Sequence, residues 1–131
     1  MTAKGFHNKM VSYLGEYQKR LILIKSSDTA ESHCSVIHEF INYIYNYHLV
    51  AGIDQITVSM ANSKFQADYK RKNKGAIPNE TMKKILKDFF TFLYEKHRIK
   101  NEKLLRGLAA NKNGGDTKNY LSKEKIKLEI L

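Results

Sequence analysis

Cysteine, proline and glycine are scarce in this chain, and acidic residues are few beside basic ones. A single cysteine, Cys34, excludes an intrachain disulfide and agrees with a reducing compartment. A lone thiol with no paired base in view reads as a small core filler rather than a nucleophile. Only one proline, Pro78, and seven glycines interrupt the chain, and its apolar residues recur at helical rather than alternating spacing. The longest purely aliphatic run, Leu21-Ile22-Leu23-Ile24, is too short to span a membrane. The N-terminus carries no signal-peptide pattern. These absences lead us to expect a soluble, cytoplasmic, all-α protein with no membrane partner.

What is present sets the rest. The 131 residues, 42% hydrophobic, suffice for one domain with a real core. Lysine and arginine outnumber aspartate and glutamate by 23 to 13, giving a formal net charge of +10. Such an excess on a small domain points first to nucleic acid, second to an anionic membrane surface and third to mere solubility.

The stretch from Asn79 to Ile99 organises the chain. Met82, Ile85, Leu86, Phe89 and Leu93 form one helical stripe, with Pro78 suited to the helix start and Asn79 a candidate N-cap. Lys83, Lys84, Lys87 and Thr91 fall on or near the polar face. A basic loop, Tyr69-Lys70-Arg71-Lys72-Asn73-Lys74-Gly75, leads into it. The combination suits a helix laid on a polyanion; a solvated lysine face on a core helix is the plainer reading.

Before it, Phe6, Met10, Tyr13, Leu14, Tyr17, Leu21 and Ile24 predict a first helix of about five turns. Asp28 with Glu31 resembles a capping box opening a second helix, which should bury Ile37, Phe40, Ile41, Ile44 and Tyr47 and end near Gly52. Its first half should show Glu31, Ser32, Ser35 and His38 to water. After the connection Ile53–Thr57, Thr57 or Ser59 should cap a third helix that buries Ala61, Phe65 and Tyr69. A fifth segment carries Leu104, Leu105 and Leu108. Asn111 to Asp116 has linker composition, so residues 1–110 read as the helical domain, 111–118 as a linker and 119–131 as a short helix with Ile126, Ile130 and Leu131 to bury.

Catalytic and metal motifs are missing. His38-Glu39-Phe40-Ile41-Asn42 starts like a zinc-protease motif but has asparagine where the second imidazole must stand. The five histidines show no ligand spacing with one another or with Cys34. Neither a glycine-rich phosphate loop nor a nucleophile elbow occurs. We therefore expect no cofactor, no metal and no small-molecule substrate.

Several phrases, in order, resemble the N-terminal part of tyrosine recombinases of the phage-integrase type. Thr29 and His33 open the second helix where that family carries threonine and tyrosine, followed by Phe40 and Tyr43-Ile44. Ile53-Asp54-Gln55-Ile56-Thr57 is similar to its connection, and Phe65 to its third-helix aromatic. Thr81, Ile85, Leu86, Phe89-Phe90 and Phe92-Leu93-Tyr94 are similar to its fourth helix. Ile99-Lys100-Asn101 echoes the ending of that domain, with Glu102 in place of a proline, and Tyr120-Leu121-Ser122-Lys123-Glu124-Lys125-Ile126 resembles the opening of the catalytic domain.

The resemblance implies a four- to five-helix orthogonal bundle, the SAM-like core-binding domain, whose second and fourth helices approach the major groove. It implies DNA integration and recombination by a mobile element, with double-stranded DNA and further recombinase protomers as partners. The family's catalytic residues belong to the domain that would follow Leu131, so this chain is expected to bind without cutting. Lys70, Arg71, Lys72, Lys74, Lys83, Lys84 and Lys87 would then meet phosphates. Ser32, Ser35, His38 and Asn79 would reach base edges or sugars. The alternatives are a helical protein-interaction module of a mobile element, binding an acidic partner, and a small enzyme.

Overall fold

A computed structural model describes residues 1–73 and 77–109 of the chain. These residues form an all-helical bundle: α1 (Ala3–Ile24), α2 (Ser27–His48), α3 (Phe65–Lys72), α4 (Asn79–His97) and α5 (Glu102–Ala109). A 3₁₀ turn, Ile53–Gln55, follows α2, and a π-helical turn, Met60–Lys64, runs directly into α3. No strand occurs among the described residues. The linker and terminal helix expected over 111–118 and 119–131, and Lys74 in the basic stretch, lie outside the described residues.

The α4 stripe holds. Met82, Ile85, Leu86, Phe89 and Leu93 are all buried, and Phe90 and Phe92 widen the buried side. Aromatic rings carry the core from helix to helix. Tyr17 of α1 meets Phe89 at 5.4 Å and Phe92 at 5.1 Å, while Phe40 of α2 meets Phe65 of α3 edge-on at 5.1 Å and Phe90 at 6.0 Å. Such pairs are each worth about 0.5–1.5 kcal/mol beyond their area burial. Cys34 is buried in the same core, and burial pushes its thiol pKa up.

Helix starts differ from expectation in two places. The N-cap of α2 is Ser26, not Asp28: its hydroxyl accepts the Thr29 amide at 3.1 Å and donates to the Thr29 hydroxyl at 2.9 Å. Ser26→Ala should therefore cost about 1 kcal/mol of stability, read from urea unfolding. On α4 the N-cap is Pro78, with no side-chain cap, and Asn79 is the first helical residue. Proline supplies extended backbone there, and the Asn79 carbonyl accepts a hydrogen bond from the buried Gln66 amide at 3.4 Å.

Two apolar assignments also change. Ile24 is 67% exposed because the chain turns away at Lys25 and leaves nothing over the last turn of α1. Tyr47 is 55% exposed, since α2 ends one residue later with Leu49 in the left-handed region (φ 47°). Helix α4 ends the same way at Arg98 (φ 58°), with the Ile99 amide reaching back to the Leu93 carbonyl at 3.2 Å.

Asn101 locks the far end. Its amide donates to the carbonyls of Ile53 (2.8 Å) and Ile56 (2.9 Å), and its side-chain oxygen accepts the Leu104 amide at 3.1 Å. One side chain thus caps α5 and satisfies the 3₁₀ turn. Below it, a Cβ at Gly107 would stand 2.4 Å from Val58, so only glycine lets α5 approach this closely without displacing that side chain.

Candidate functional site

Of the cationic stretch before α4, Tyr69 to Lys72 are helical rather than loop and form the last turn of α3, because no breaker intervenes before Asn73. Tyr69 is buried, whereas Lys70, Arg71 and Lys72 are exposed. Asp68 organises two of the three: it accepts from Arg71 and lies 3.4 Å from the Lys72 ammonium. Tyr47, read from the sequence as core, belongs to this cluster instead. Lys72 sits 5.6 Å from its ring centre. The Tyr47 hydroxyl first, then Asp68, raises the Arg71 guanidinium pKa further.

Ser32, Ser35 and His38 are exposed on α2, as expected. Hydrogen bonds define the two flanks of that face. His7 of α1 meets Asn42 at 2.8 Å, and Asn73, at the end of α3, donates to Glu39 at 3.3 Å. The structure therefore brings the α2 polar face up to the cationic end of α3.

It does not bring that face up to the α4 lysines. Lys84 acts on His33 of α2 instead: burial lowers the His33 pKa first, and the Lys25 and Lys84 charges lower it further against Asp88. At 100° per residue, Ser35 and His38 lie roughly 140–160° around the helix from His33. Arg71 and Lys72 meet α2 at Tyr47, roughly 120–180° around the helix from Ser35 and His38, so the end of α3 touches that polar face only through Asn73 and Glu39.

The polar face of α4 divides lengthwise. Lys84, Asp88 and Glu95 follow one edge, where Lys84 pairs with Asp88 at 3.2 Å and Arg20 approaches Glu95 at 4.0 Å. This edge is charge-balanced rather than cationic, a correction to the sequence reading. Lys83, Lys87 and Tyr94 follow the other edge. The Lys83 side chain is only 12% exposed against 75% for Lys84, and its ammonium lies 3.7 Å from Glu80. The wide apolar side that Phe90 completes draws in the Lys83 stem, which sequence spacing alone places in water. Asn79, exposed at the start of α4, has its side chain free of the capping duty expected of it.

Burial first, and Asp88 next, push the Tyr17 hydroxyl up to about 12, and burial also raises Tyr43 and Tyr69. Among the described residues no cluster of histidine, cysteine, aspartate and glutamate could hold a metal ion, and no helix is long and apolar enough to cross a membrane. Comparisons with protein-family models, with curated proteins and with solved structures each return no significant match.

Proposed function

We propose that this chain binds duplex DNA as the core-binding domain of a site-specific tyrosine recombinase, without catalysing strand exchange itself. The observation that carries the reading is the cationic end of α3. Its three exposed cations, Lys70, Arg71 and Lys72, can fix a phosphate backbone, and Asn73 joins that end to Glu39 on the α2 face whose exposed Ser32 and Ser35 can read base edges. The net charge of +10 supports the same partner. In this reading Lys74 and Lys87 extend the phosphate contacts, and other protomers meet this one only on DNA.

The second reading, a helical module that binds a protein, is favoured by the exposed Ile22, Leu23 and Ile24 at the end of α1. A salt titration separates the two. With labelled duplex in fluorescence anisotropy, several phosphate contacts give a fall in log K of about 0.9 per contact against log salt. The expected result is a slope steeper than −3 and no covalent adduct. A shallow slope, or tighter binding to an acidic protein than to duplex, overturns the DNA reading.

A further inference from the structure

We propose that the groove between the C-terminal half of α4 and α5 is a second backbone-binding site for the same polyanion, formed by Tyr94, Lys100 and Arg106. The inference rests on the DNA-binding reading and adds a surface that the sequence did not single out.

Five cations, Lys96, Arg98, Lys100, Lys103 and Arg106, crowd into the end of α4 and into α5, with Glu102 the only acid between the first and the last. Three side chains give this charge a shape. Tyr94, Lys100 and Arg106 line a shallow groove whose floor includes Leu105, with Glu102 at its edge. The Lys100 ammonium stands 5.7 Å from the Tyr94 ring centre, so the ring holds the cation over the groove. Lys100 also lies 3.4 Å from Glu102, but both side chains are largely in water, where such a pair contributes little and opens readily to a phosphate. Arg106 has no ion pair among the described residues.

The part of a favourable α4 C-terminus explains Lys96 and Arg98, whose charges complement the helix dipole. It does not explain Lys100 and Arg106, which stand on the next segment and converge on the groove. Placement argues for an extended ligand. Tyr94 lies on the Lys83–Lys87 edge of α4, about 10 Å along the axis from Lys87. That edge carries no acid between the two residues, unlike the Lys84–Asp88–Glu95 edge. A compact anion would occupy one end only. A polymer with regularly repeated charge reaches Lys87 and the groove together.

The test is the salt slope of full-chain binding to labelled duplex. Lys100→Gln with Arg106→Gln should reduce the magnitude of the slope by about two, while Lys103→Gln, outside the groove lining, should change it by much less. Tyr94 acts as a positioning residue: Tyr94→Leu should weaken binding and Tyr94→Phe should restore it, with thermal melting unchanged in both. An unchanged slope in the double variant, with wild-type binding intact, overturns this inference and leaves the DNA reading standing. Equal losses for Lys103→Gln and for a groove lysine overturn it as well, since they describe a diffuse field rather than a site. If the wild-type chain fails to bind duplex, both readings fall together.

Discussion

Replacing Phe89 with alanine is expected to lower the unfolding free energy by about 3–5 kcal/mol. The ring has 0% exposure and stands where α1 and α4 meet, 5.4 Å from Tyr17 and 5.6 Å from Phe90. Truncation removes its transfer energy and leaves a hole that neighbouring rings, stiff and already in contact, fill poorly. Since a domain of this kind has only about 5–15 kcal/mol in hand, the loss is a large share of the total. Chemical denaturation followed by circular dichroism measures it. Thr81→Ala, exposed near the start of the same helix, supplies the comparison and should move the midpoint little. A Phe89→Ala loss near zero would show that the centre of the core lies elsewhere.

Neutralising Lys70, Arg71 and Lys72 together is expected to have the largest effect on duplex binding, reducing the salt slope by about three. The variant needs a companion change. Asp68 has a side chain only 11% exposed and is paired with both Arg71 and Lys72, so removing its partners alone would strand a carboxylate and unsettle the end of α3. Lys70→Gln, Arg71→Gln and Lys72→Gln with Asp68→Asn avoid that confusion. Asp68→Asn alone supplies the opposite sign: it releases two cations from an internal competitor and should tighten duplex binding at low salt. If the quadruple variant keeps the wild-type slope, the end of α3 does not meet phosphate.

Much of the fold was legible because α4 and α1 bury a single face at regular spacing. Phe6, Met10, Leu14, Tyr17 and Leu21 on α1, and the Met82–Leu93 stripe on α4, lie in the core as their periodicity requires. The exceptions occur where tertiary packing overrides spacing. Ile24 and Tyr47 continue the apolar period, but each sits at the last turn of its helix, where the next helix has already diverged. Lys83 fails in the other direction, drawn against a core made broader by Phe90. Charges along a helix looked additive in sequence; in space Asp88 and Glu95 offset one edge of α4. The groove at Tyr94 left only a weak trace in sequence, the density of cations after Lys96, because its walls come from two helices joined through a left-handed residue, Arg98.

Asn101 gives this last corner a thermodynamic character of its own. An eight-residue helix such as α5 is too short to persist alone, so its order is borrowed from burial of Leu104 and Leu108 and from the three hydrogen bonds of Asn101. Two of those bonds join segments more than forty residues apart, and breaking them lets α5 open as a local unit while the Tyr17–Phe89 contact stays closed. The groove exists only in the closed form. A polyanion seated there would bind one member of that equilibrium and draw the population towards it. Amide hydrogen exchange of Leu104 and Leu108 would then slow as ligand is added, turning a structural asparagine into the hinge pin of a ligand-gated fluctuation.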